Sequence, residues 1–64
     1  MTLEEFNALK PGDRIIHRCS DGINLRGAVM RRGDGGVYVQ WPGTALAFFY
    51  AVNESIWKHW DKAE

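Results

Sequence analysis

The sequence predicts a mainly β domain: a small barrel of four to five antiparallel strands, with a short N-terminal helix and a C-terminal helical turn. Three observations carry this expectation. Between residues 12 and 52, side chains alternate between two faces in runs of five to eight residues. Turn signals such as Pro11-Gly12, Asp21-Gly22, Gly35-Gly36 and Pro42-Gly43 separate the runs at near-regular spacing, the pattern of a sandwich or barrel. Finally, the 64 residues form a single domain spanning 1–64, and for so few strands closing the sheet is the economical way to remove its edges.

Residues 1–10 read as the helix. Thr2 and Glu5 have the capping-box spacing, in which each side chain satisfies an amide of the first turn. Leu3, Phe6 and Leu9 repeat every three residues and share a face. Lys10-Pro11-Gly12-Asp13 ends the helix, because proline cannot continue the ladder and Gly12 accepts positive φ. Residues 14–19 then alternate, with Ile15, His17 and Cys19 on one side and Arg14, Ile16 and Arg18 on the other. After the turn Ser20-Asp21-Gly22, residues 23–32 read as a second strand with Leu25, Gly27 and Val29 on one face. Gly27 suggests a bend or bulge there. Arg31 to Gly36 reads as a hairpin loop, residues 37–41 as the third strand and residues 45–52 as the fourth. Asn53 is positioned to cap a helical turn within residues 53–60.

Composition excludes several classes. Eight aromatics and a balanced charge are wrong for a disordered tail. No apolar run approaches the ~18 residues that span a bilayer, and the acidic N-terminus lacks the apolar core of a signal peptide. A single cysteine cannot form an internal disulfide. These features lead to an expected cytoplasmic location and no membrane partner. The formal net charge of zero conceals an asymmetry: residues 1–9 carry −2, residues 10–34 carry +3 and residues 35–64 carry −1. All five arginines lie between Arg14 and Arg32.

Gly12-Asp13-Arg14-Ile15, Gly27-Ala28-Val29 and Val37-Tyr38-Val39-Gln40-Trp41 resemble the opening strands of SH3-like barrels of the KOW and Tudor kind. The run from Phe49 to Val52 followed by a helical turn at Ile56 is similar to the end of the same architecture, so the resemblance covers about residues 11–57. A second resemblance is to the plasmid-borne type II dihydrofolate reductases, tetramers of SH3-like protomers. Gly12-Asp13-Arg14-Ile15 matches their start, and their Val-Gln-Ile-Tyr pore strand falls on Ala47-Phe48-Phe49-Tyr50, which keeps only Tyr50. Phenylalanine at Phe48 cannot hydrogen-bond a substrate ring, and the basic residue after the first strand is at best His17 or Arg18. The resemblance therefore implies the fold and not the activity.

The remaining constellations point to binding rather than catalysis. His17, Cys19 and His59 do not reach a zinc-ligand pattern, so no metal or cofactor is expected. Cys19 and His17, two apart on a strand, lie ~7 Å apart at the base with no third group to orient them, and no enzyme is expected. The aromatics Phe6, Tyr38, Trp41, Phe48, Phe49, Tyr50, Trp57 and Trp60 exceed what a small barrel hides. Either Phe6, Trp57 and Trp60 fold over the barrel, or Tyr38, Trp41, Phe48 and Tyr50 form an exposed patch with Arg31 and Arg32 at its rim. Such patches mark interfaces. The expected function is a non-enzymatic module for contact with a protein partner or a second copy, in the style of small phage or plasmid adaptors and inhibitors of larger machines. The alternative is nucleic-acid binding, with stacking on Tyr38 or Trp41 and phosphate contacts from Arg14, Arg18, Arg26, Arg31 and Arg32.

Overall fold

A computed structural model describes residues 1–18 and 22–63. Its elements run α1 (Leu3–Asn7), β1 (Arg14–Arg18), β2 (Asn24–Gly33), β3 (Gly36–Gln40), β4 (Phe48–Ala51), a 3₁₀ turn (Ile56–His59) and β5 (Trp60–Ala63). The described strands form one antiparallel sheet in the order β4-β3-β2-β1-β5. β4 and β5 are its two edges, and among the described residues no ladder joins them. Among the described residues no helix is long and apolar enough to cross a membrane.

The capping box forms as the spacing predicts: the Glu5 amide donates to Thr2 Oγ1 at 3.2 Å, and the Thr2 amide donates to Glu5 Oε1 at 2.8 Å. That backbone bond from Thr2, with the hydroxyl contact, holds the Glu5 carboxyl below its ordinary value of 4.5. Phe6 and Leu9 are buried, but Leu3 is exposed, so the three-residue repeat overstates the buried face. Gly12 has φ 94° in the turn that follows.

The inner face of the sheet carries the core. Phe6, Leu9, Ile15, Val29, Val37, Val39, Trp57 and Trp60 are buried, and Met1, Trp41 and Tyr50 pack against them. Phe6 stacks on Trp57 with centroids 4.6 Å apart and lies 6.4 Å from Trp60. Phe6, Trp57 and Trp60 thus belong to the core, as the first of the two aromatic arrangements expects. Burying each large side chain is worth about 1.5–3 kcal/mol.

Several boundaries differ from expectation, each for a tertiary reason. The helical turn is not capped by Asn53. It is a 3₁₀ turn preceded by Ser55, without a side-chain cap, and is held instead by the Trp57 indole N–H donating to the Val52 carbonyl at 3.1 Å. Residues 60–63, partly placed in that turn by sequence, form β5 because β1 offers them a free edge, with Trp60 opposite His17. The fourth strand is limited to Phe48–Ala51; residues 45–47 find no ladder partner there and run irregularly. Trp41 lies just beyond β3.

The irregularity assigned to Gly27 occurs at Met30, where the register passes from Val29↔Val39 to Arg31↔Tyr38. Gly27 serves a different purpose: a Cβ there would lie 2.7 Å from the Trp41 ring, so its bareness seats the indole on the sheet. The loop predicted for residues 31–36 shrinks to Asp34-Gly35, and Arg31 and Arg32 are strand residues. Cys19 and the turn Ser20-Asp21 lie outside the described residues.

Candidate functional site

Residues paired across antiparallel strands share a face, so the register assigns every candidate side chain to one side of the sheet. Arg14 pairs with Ala28, Arg26 with Ile16, and Arg18 with Asn24, opposite in phase to buried Ile15 and Val29. These three arginines therefore lie on the outer face. Alternation alone would turn Arg31 inward with Val29. The extra residue at Met30 reverses the phase, and Arg31 joins Tyr38 and Phe49 outside.

On that outer face the Arg31 guanidinium sits 4.1 Å from the Tyr38 ring centroid, and Tyr38 lies 5.0 Å from Phe49. A cation over a ring near the surface contributes about 0.5–1 kcal/mol. Arg18 is paired with Asp61, and the hydrogen bond from its guanidinium holds the Asp61 carboxyl below its ordinary value of 3.8. Arg14 and Arg26 have no carboxylate within ion-pair distance among the described residues.

Arg32 falls on the inner side, opposite Val37. Its Nη1 donates to the carbonyls of Phe6 and Leu9, both at 3.1 Å, at and just beyond the C-terminal end of α1; the Phe6 carbonyl also accepts from the Leu9 amide at 3.2 Å. Arg32 thus clamps α1 to the sheet and is not at the rim of an aromatic patch. We expect Arg32→Ala to cost about 1–3 kcal/mol, as charged hydrogen bonds do, with Arg32→Lys recovering part of it. Urea unfolding of the three proteins checks this, and an unchanged midpoint for Arg32→Ala would remove the clamp from the account.

The predicted aromatic set is divided between the two faces. Tyr38 is outside. Trp41 and Tyr50 are half-buried inside, where the Trp41 indole N–H donates to the Tyr50 hydroxyl at 2.7 Å and Tyr50 stands edge-on to Trp60 at 4.8 Å. Phe48 pairs with Val39 and so belongs to the inner side, yet it is 50% exposed because β4 is the edge of the sheet. Phe49, not singled out from sequence, is 40% exposed beside Tyr38. Leu46, Val52 and Ile56 are also exposed along or just beyond β4. The longest run of exposed apolar side chains therefore follows an unpaired edge.

A cavity of about 350 Å³ opens at one end of the inner face. Its rings come from Trp41, Tyr50 and Trp60, its aliphatic walls from Leu25, Pro42 and Ile56, and its polar residues are His17 and Thr44. His17 Nδ1 and Trp60 Nε1 are buried and have no hydrogen-bond partner among the described residues. Each such group costs about 1–3 kcal/mol. His17 was legible as an inner residue from its alternation with Ile15; Trp60 was not, because its strand is recognisable only by its pairing with β1.

Comparison of the chain with protein-family models, curated protein sequences and solved structures gives no match in any of the three.

Proposed function

We propose that the chain is a small SH3-like barrel, partly open, that works as a non-enzymatic binding module and docks a protein partner along the β4 edge. The carrying observation is the coincidence of an unpaired edge with exposed Phe48 and Phe49 and the Arg31-Tyr38 stack beside them. An uncovered strand edge offers amides and carbonyls to a strand of another protein, here short of Ala51, whose amide and carbonyl Glu54 already engages, and aromatic and arginine side chains dominate interface energies. The four-strand meander, the 3₁₀ turn and the return of β5 to β1 support the barrel reading. A small adaptor or inhibitor of a larger assembly would use its surface in this way.

A second reading, binding of single-stranded nucleic acid, is favoured by one observation: Arg14, Arg18, Arg26 and Arg31 share the outer face with Tyr38 and Phe49. Two variants separate the readings. Phe48→Asp should release proteins captured by the immobilised wild-type chain, with a loss of about 2 kcal/mol or more for a central aromatic. It should leave any oligonucleotide binding unchanged. Arg14→Ala/Arg26→Ala should instead weaken binding of a labelled single strand and flatten its salt dependence. Capture that is indifferent to Phe48→Asp overturns the edge-docking proposal.

A further inference from the structure

We propose that the β4 edge pairs with the β4 edge of a second copy of this chain, antiparallel and about a two-fold axis at Phe48. The inference rests on the edge-docking reading and names its occupant. The two edges of the sheet differ in chemistry. β5 exposes Asp61 and Lys62, and charges on an edge strand discourage pairing. Residues 35–53, which include β4, contain no charged side chain. A two-fold axis sets the same patch of each copy against itself, so a charge at its centre would meet its like. An edge without charge escapes that repulsion, and it offers nothing by which a charged foreign strand could be selected. Arg31, on the outer face, lies two strands in from the edge.

Backbone hydrogen bonding selects the register. The Val52 amide donates to the Gly35 carbonyl at 2.7 Å. Bonded pairs alternate along an antiparallel ladder, so Tyr50 and Phe48 turn their backbone groups to β3, and Ala51 and Phe49 turn theirs outward. Glu54 engages both outward groups of Ala51: its amide donates to the carbonyl at 3.1 Å, and its carboxylate accepts from the amide at 3.4 Å. Phe49 remains, with Ala47 next in phase just before β4. An axis at Phe49 would set Ala47 against the occupied Ala51. An axis at Phe48 lets Phe49 of each copy exchange amide and carbonyl bonds with Ala47 of the other. The two Phe48 side chains then meet on the inner side as a pair without backbone bonds, the closer kind. Each Phe49 faces a small alanine on the outer side, and Leu46, 75% exposed, comes beside Tyr50 of the second copy. An open hollow of about 660 Å³ follows the same edge, lined by residues 48–50 and 53–56, and leaves space for them.

Sedimentation of the full chain from micromolar to millimolar concentration tests this. The average mass is expected to rise from that of one chain toward that of two. Phe48→Asp and Phe48→Lys each set like charges across the axis and should weaken the dimer roughly thirtyfold, as loss of a central aromatic does. An equimolar mixture of the two should restore it, because opposite charges then face each other. In wild-type ¹H–¹⁵N spectra, which depend on no variant folding, concentration-dependent shifts should centre on residues 47–49 and spare Asp61 and Lys62. A wild type that stays monomeric, folded variants that dimerise as well as wild type, a mixture no better than either variant, or shifts centred on β5 each overturns the second copy as occupant. If the wild type is monomeric while Phe48→Asp still releases a captured protein, the second copy is overturned and the edge-docking reading stands.

Discussion

Gly36→Ala is expected to detach β4 and lower the melting temperature by more than ten degrees. A Cβ at Gly36 would stand 2.2 Å from the Tyr50 carbonyl oxygen and 2.9 Å from Ala51 Cα, both backbone atoms of the neighbouring strand. No rotamer change relieves such a clash, so the β3–β4 ladder itself must move. Overpacking in a tight site costs about 1–3 kcal/mol and sometimes more, and a domain of this size loses roughly 4–8 °C for each kcal/mol. Gly35→Ala is the control. It sits at φ 79° with nothing within 4 Å of the added carbon, so only backbone strain of about 1–2 kcal/mol applies. Thermal unfolding of the two variants, with amide exchange at Phe48 to Ala51, checks the difference. Equal melting temperatures would mean that β4 yields at little cost, and the edge-docking proposal would lose its rigid platform.

Trp60→Ala is expected to leave much of the population unfolded at 25 °C. Trp60 is buried between Phe6, Trp41 and Tyr50, opens β5, and its carbonyl accepts the Met1 α-amino group at 2.7 Å. Removing a buried tryptophan costs about 3–5 kcal/mol, while 64 residues carry a total of roughly 3–10 kcal/mol. Trp60→Phe should stay folded. It sheds ring volume, but it also removes the unpartnered indole N–H, whose burial costs about 1–3 kcal/mol. Urea unfolding monitored by circular dichroism distinguishes the two. If Trp60→Ala folded as well as Trp60→Phe, the core would not be centred where the aromatic cluster places it.

The two variants probe different levels of the fold, and those levels differed in how far the sequence revealed them. The capping box of α1 and the glycines of the turns involve neighbours three or four residues apart, so residue types suffice to identify them. The strand faces of β1 and β3 follow from alternation around Ile15, Val37 and Val39, whose burial matches their phase. The predicted contact set was less legible because it depends on phase across a bulge. Arg31 and Arg32, adjacent in sequence, take opposite faces: one stacks on Tyr38, the other holds the carbonyls of α1. Likewise Tyr38 and Tyr50, grouped together by residue type, are separated by the sheet itself.

From sequence alone came the mainly β class, the helix at the start, the turns and which aromatics the chain must accommodate, because each depends on local geometry or on composition. Only the tertiary structure decided that Trp60 begins a fifth strand, that Gly27 makes room for Trp41 and that Met30 turns Arg31 outward. Those outcomes depend on partners distant in sequence. The ladder of β5 on β1 brings Trp60 to His17 across forty-three residues, and a pairing of that span has no local signature until the intervening strands have formed the edge that receives it.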